Sequence, residues 1–296
     1  MDNQIGNLER RNLTANGVEQ CFLESGPDDG PLAICVHGFP DSAWTWRHLL
    51  PVLADAGFHA VAPFLRGYAP SGLAPDGTYQ SGALAADICA LKEEIAGSDQ
   101  AVFIGHDWGA FCGYGATGWK PEHFSKLVTM AVPPVPAAAS TFFSYAQIKR
   151  SFYVFFFQSA LAEGVVGADD CAFIDNLWAD WSPGYDAKWD VTRVKESIGE
   201  PERLSAAINY YRAMFDGSTH LAQYADAQQA AGGLPVIPTL YLHGADDGCM
   251  GVASIDEVAQ LLPAASEAAM IQKAGHFLHL EQPDEVNDRV LRFIAG

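Results

Sequence analysis

Chemistry concentrates first in Val102-Phe103-Ile104-Gly105-His106-Asp107-Trp108-Gly109-Ala110, where an apolar strand runs into G-x-D-x-G and a small-residue helix follows. This is the frame of the G-x-S-x-G nucleophile elbow with Asp in place of Ser. A nucleophile there must project above a sheet from a sharp, strained turn, and flanking glycines avoid Cβ clashes between strand and helix. The N-terminus of the following helix adds partial positive charge that favours an ionised carboxylate. A lone G-x-D-x-G would fit an ordinary helix-capping turn equally well, so the reading depends on partners.

Two partners stand in the required order, and a separate loop adds an oxyanion donor. Thr239–Leu242 leads into Gly244-Ala245-Asp246-Asp247, where an orienting acid belongs; Asp247 is preferred to Asp246 because it completes G-x-x-D. Ala274-Gly275-His276-Phe277 places a histidine just past the last strand, so nucleophile, acid and base follow as 107, 247 and 276. His279 is the weaker base candidate, lying further into the following helix. Val36-His37-Gly38-Phe39-Pro40 follows a strand and offers one backbone N–H for an oxyanion hole, with Trp108 giving the other. Pro40 has no N–H, which points to Phe39 as the donor.

These residues need a sheet to hold them. Leu8–Leu13 and Val18–Leu23 flank Asn16-Gly17, a hairpin signal. Apolar runs at Leu32–Val36, Phe58–Ala62, Ala101–Ile104, Leu127–Ala131, Thr239–Leu242 and Ala269–Ile271 read as strands. Helical spacing at Ala43–Ala56, Ser81–Ala96, Ala110–Trp119, Ser254–Leu262 and Pro283–Ile294 alternates with them. Alternation of this kind predicts an α/β fold with a mostly parallel sheet between helices. It breaks at Pro133, Pro134 and Pro136, after which the chain is aromatic-rich and helical to about Gln228. The expected division is a core of 1–134 and 229–296 with a helical cap of 135–228.

The net charge of −19 argues against nucleic-acid partners and anionic membrane surfaces, both of which need basic patches. Phe152–Phe157 is too short to span a bilayer, and Met1–Gly6 shows no basic and apolar leader. The six cysteines have no metal-ligand spacing and read as small buried thiols, which suggests a reducing, cytoplasmic setting.

HGFPDSAWTWRHLLP (37–51), GHDWGA (105–110) and GHFLHLEQP (275–283) resemble the epoxide hydrolases of the α/β-hydrolase fold, and the likeness spans nearly the whole chain. The resemblance implies that Asp107 attacks an epoxide carbon while two cap tyrosines hold the ring oxygen. Ser151–Gln158 and Ile208–Arg212 look like the segments that carry them, giving Tyr153 and Tyr211, with adjacent Tyr210 the competitor for the second place. It implies a small apolar epoxide and water as partners and no cofactor or metal, and leaves a homodimer open. Phe142, Phe143, Phe155, Trp178 and Trp181 are expected to give an apolar pocket, with most of them packed in the core of the cap. The sequence departs from the family at Phe64, where many relatives have Asp, and at Ala69, where many have Gly, which puts that loop's conformation in question. A haloalkane or haloacid dehalogenase shares the Asp nucleophile. Many haloalkane dehalogenases, however, carry Asn or Glu where Phe39 stands, and a departing halide needs no phenolic proton donor. A catalytically dead binding module is the non-enzyme alternative, and the intact Asp, acid and His set counts against it.

Overall fold

The computed structural model describes residues 8–251 and 254–296; the reading of Met1–Gly6 falls outside them. Eight strands form one sheet: β1 Glu9–Ala15, β2 Val18–Ser25, β3 Leu32–Val36, β4 His59–Pro63, β5 Ala101–His106, β6 Phe124–Met130, β7 Thr239–Gly244 and β8 Glu267–Ile271. Their order is β1-β2-β4-β3-β5-β6-β7-β8. β1 and β2 form the expected hairpin, with Asn16 and Gly17 both at positive φ (50° and 74°), as a tight turn of that hand requires. β2 pairs antiparallel with β4, and every later pairing is parallel. β3, β4, β5 and β7 are buried along their whole length, which explains their unbroken apolar sequences: helices cover both faces.

The helix expected over Ala43–Ala56 is two pieces, Ala43–His48 of 3-10 type and Leu50–Asp55. Pro51 has no N–H to return to the preceding turn, so the helix restarts there. β6 ends at Met130, and the departure from the sheet lies at Ala131, whose φ is 67°, before the prolines begin.

Helices from Val135–Phe142 through Pro201–Phe215 to Ala225–Ala231 fill the chain between β6 and β7, with no strand among the described residues. This helical cap sits on the core through specific bonds. The Trp178 indole donates to the Pro40 carbonyl at 2.8 Å, the Tyr210 hydroxyl donates to the Arg66 carbonyl at 2.7 Å, and Arg47 pairs with Asp190. Helix Ala225–Ala231 packs against the core helices Ser81–Ala96 and Trp108–Trp119.

The loop that carries Phe64 and Ala69 is held from inside. Arg66 is fully buried and grips Asp87 with two bonds of 2.6 and 2.7 Å, while also donating to Asp76 and the Thr78 carbonyl. The forked guanidinium suits a carboxylate, and the added bonds offset the cost of burying both charges.

Candidate active site

Asp107 occupies the bend between β5 and helix Trp108–Trp119 with φ 53° and ψ −116°. A non-glycine residue held there costs about 1–3 kcal/mol of backbone strain, sustained only where the surroundings over-determine it. Here its N–H donates to the Met130 carbonyl at 3.3 Å, and its Oδ1 accepts the Phe39 N–H at 2.8 Å. Two glycines make the bend sterically feasible. A Cβ on Gly109 would run into the Val36 carbonyl, and one on Gly38 would meet both the Asp107 side chain and the backbone N of Trp108. The Phe39 and Trp108 nitrogens therefore lie beside the same carboxylate.

The loop carrying Phe39 is fixed by His37. Its Nε2 accepts the Leu65 N–H at 3.1 Å, so Nδ1 carries the proton and donates to the Gly38 carbonyl at 2.9 Å. Complete burial drives the His37 pKa down to about 4, which keeps this neutral tautomer.

His276 is fully buried between two acids. Its Nδ1 lies 3.0 Å from Asp247 Oδ2, and its Nε2 lies 3.6 Å from Asp107 Oδ2 with no hydrogen-bond partner. The other Asp247 oxygen accepts the N–H groups of Cys249 and Met250 at 2.7 and 2.8 Å. Burial, the largest single influence on His276, opposes a charged ring. Cys249, Asp247 and Asp107 together outweigh it and hold its pKa well above the ordinary value. Burial likewise works to raise the Asp247 carboxyl, and His276 overcomes it to hold that group below its usual range. Asp246, by contrast, is exposed. His279 bonds Thr45 at 2.6 Å and stacks on Trp46, and burial holds it well below its ordinary pKa.

Two phenols face this set from the cap. The rings of Tyr153 and Tyr211 meet edge to face with centroids 5.4 Å apart, and both pack on Phe39. The Tyr153 hydroxyl lies 3.4 Å from Cys249 Sγ, whereas the Tyr211 hydroxyl is buried without a partner. Burial first, and the nearby Asp107 charge among lesser causes, push both phenol pKa values well above ordinary, so both stay protonated as donors. Tyr210 is turned away, its hydroxyl committed to Arg66.

A cavity of about 40 Å³ opens on Asp107, Trp108, Tyr153, Tyr211 and Cys249. Of the aromatic residues expected around it, Phe142 lines it. Phe143 is exposed and Phe155 lies at the surface, because their side of the cap faces solvent. Trp178 stacks flat on Phe277 at 3.4 Å as packing, and Trp181 backs the site against His276 and Tyr153. Sequence reasoning missed Cys249; its only signal is a position two residues past the acid, in the same loop.

Among the described residues, three groups place His, Cys or carboxylate atoms within 4.8 Å of one another: Asp247–Cys249–His276, Asp41–His106–His279 and Glu24–Asp28–His59. In the first, both Asp247 oxygens and His276 Nδ1 are already engaged with each other and with backbone N–H groups, which makes it a hydrogen-bonded set.

A profile of the α/β-hydrolase fold matches residues 31–283. The chain belongs to the α/β-hydrolase family. It is 28% identical to epoxide hydrolase A of Mycobacterium tuberculosis, over 99% of each chain. It is 27% identical to an α/β-hydrolase superfamily protein of Bacillus subtilis, over 96% of this chain and 97% of that one. The crystal structure of epoxide hydrolase A from Mycobacterium thermoresistibile superposes with a TM-score of 0.79 at 25% identity, covering 98% of both chains. The expected fold is thus the observed one, an eight-stranded, mostly parallel sheet with a helical cap between β6 and β7.

Proposed function

We propose that the protein hydrolyses an epoxide to a vicinal diol through an ester on Asp107. The names of its relatives favour that activity. The observation that carries it is the pair of buried, protonated phenols beside a carboxylate that is held at a strained bend. Opening an epoxide by carboxylate attack generates an alkoxide, and a phenol supplies the proton that it needs.

In the first half of the cycle Asp107 attacks one ring carbon while Tyr153 and Tyr211 donate hydrogen bonds to the oxygen. In the second, His276, oriented by Asp247, deprotonates a water that attacks the ester carbonyl. The N–H of Phe39 already points at Asp107 Oδ1, the atom that becomes an oxyanion in this step, and Trp108 supplies the second donor. Ester formation removes the Asp107 charge that helps keep His276 protonated, so alkylation itself favours the neutral base.

No described helix is long and apolar enough to cross a membrane, and a cytoplasmic location is part of the same reading. So is the division into core 1–134 and 229–296 and cap 135–228, with helix Ala225–Ala231 straddling the second boundary. A dehalogenase would use the same carboxylate but has no use for two proton donors.

The test is a pair of assays on purified protein, diol from styrene-oxide-type substrates and halide from a haloalkane panel. Diol is expected; halide without diol overturns the reading. A single turnover in heavy-oxygen water should label the Asp107 carboxylate, and label confined to the diol would rule out the ester.

A further inference from the structure

The proposed cycle strands a proton between its two halves. Ring opening leaves a phenolate on the cap tyrosine that gave its proton. Meanwhile His276 lies between two carboxylates, its Nδ1 3.0 Å from Asp247 and its Nε2 3.6 Å from Asp107, a setting that favours the imidazolium, and an imidazolium cannot act as the base for water. One transfer cures both defects: the His276 proton must reach the phenolate before hydrolysis starts. The two groups sit on different sides of the site, one in the core and one in the cap.

Cys249 stands between them. Its Sγ is 3.4 Å from the Tyr153 hydroxyl and within 4.8 Å of a His276 ring nitrogen. The Nδ1 of that ring is engaged by Asp247, which leaves Nε2, buried and unpartnered, as the nitrogen with a proton to give. The thiol is buried and lines the same cavity as Tyr153, and its backbone is clamped because the Cys249 N–H donates to Asp247 Oδ1. Tyr211, in contrast, has no partner through which a proton could return.

We infer that Cys249 relays the His276 proton to Tyr153 between ester formation and ester hydrolysis. The thiol S–H bond breaks as its proton passes to the Tyr153 phenolate oxygen, and the Nε2–H bond of His276 breaks as that proton restores the thiol. Tyr153 ends as a neutral phenol, Cys249 as a thiol and His276 as a neutral base; Asp107 stays esterified and nothing is oxidised. The direction suits the groups, since a phenolate is ordinarily a far stronger base than an imidazole, and burial pushes the Tyr153 phenol further up. Cys249 acts through its two neighbours and does not touch the reacting atoms, so it is a positioning and relay residue. The proposal rests on the epoxide reading above.

The test compares Cys249→Ala, Cys249→Val and Cys249→Ser with the parent protein in single turnovers on a styrene-oxide-type substrate. Three signals are followed: ester on Asp107 by mass spectrometry, tyrosinate by its near-ultraviolet absorption, and diol. In the Ala and Val variants ester should form at the parental rate, tyrosinate should persist, and hydrolysis should slow about a hundredfold or more, the lower part of what a positioned proton transfer contributes. Val fills the space of the thiol and controls for packing, and Ser, with an O–H in place of S–H, should restore most of the loss. Parental tyrosinate decay and hydrolysis in folded Ala and Val variants overturn the relay while leaving the epoxide reading intact. Absence of any Asp107 ester in the parent protein overturns both.

Discussion

Nε2 of His276 faces Oδ2 of Asp107 across 3.6 Å while Nδ1 of the same ring holds Asp247 at 3.0 Å, so one imidazole is shared by two buried acids. The opposite charge of Asp107 helps to keep the ring protonated against the effect of burial. Asp107→Asn removes that charge and leaves the ring otherwise in place, so the His276 pKa should fall, as read from its ring-proton shifts by NMR across a pH series. The sign carries to stability. A raised histidine pKa contributes stability that is present below the unfolded value and lost as pH rises through the folded one, so the variant should lack this component. An unchanged His276 titration would show that the two groups do not interact.

Replacing the base should split the two half-reactions. His276→Gln cannot deprotonate water, yet leaves Asp107 and both phenols in place. Turnover should drop by about 10²- to 10⁴-fold, and a peptide containing Asp107 should carry the mass of the opened epoxide. A variant that loses turnover without accumulating this adduct would place His276 before ester formation instead.

Two neighbouring tyrosines should respond oppositely to the same change. Tyr210→Phe leaves the buried Arg66 carbonyl without its donor, which costs about 1–3 kcal/mol in denaturant unfolding, with activity per folded molecule kept. The Tyr211 hydroxyl has no partner to lose, so Tyr211→Phe should leave stability within about 0.5 kcal/mol and lower the rate of ester formation. The reverse pattern would reassign the second donor to Tyr210.

That contrast also marks the limit of the sequence. Adjacent residues on a helix point about 100° apart, and nothing in Ile208–Arg212 says which of them faces the core, so the choice between the tyrosines needed the packed helix. Asp107, Asp247 and His276 were readable because their positions are tied to strand ends, and strand ends follow from short apolar runs. Cys249 was not, since its meaning lies in contacts with Tyr153 and His276, 96 and 27 positions away in the chain. Arg66 illustrates the same point: the loop that departs from the family at Phe64 is fixed by Asp87, which lies on a helix recognised only from its helical spacing. The exposed Phe143 and Phe155 failed for the opposite reason, because aromatic composition does not tell a pocket wall from the outer face of a cap.

The Arg66–Asp87 pair should matter most when broken on one side only. Asp87→Asn leaves a buried guanidinium with its main counter-charge gone, and about 3–5 kcal/mol of stability should be lost in guanidinium unfolding. The double change Arg66→Met with Asp87→Leu removes both charges and should lose less than the single one. A single variant as stable as the parent would mean that Asp76 and the Thr78 carbonyl suffice to hold Arg66.

The small cavity sets the substrate problem. At about 40 Å³ it has room for roughly one water, far below the several hundred Å³ typical of pockets for drug-sized ligands. An epoxide must therefore displace side chains in order to reach Asp107. Met214 is the wall residue suited to this: it is unbranched, 37% exposed, and lies three positions beyond Tyr211 on the same helix. Met214→Ala should enlarge the mouth at little cost in stability, because its side chain is already partly in water. The expected result is a rise in kcat/KM for a bulky aryl epoxide relative to a small aliphatic one, with the rate on the small substrate nearly unchanged. Equal effects on both substrates would mean that the entrance lies elsewhere, and Phe142, which lines the same cavity, would then be the residue to shorten.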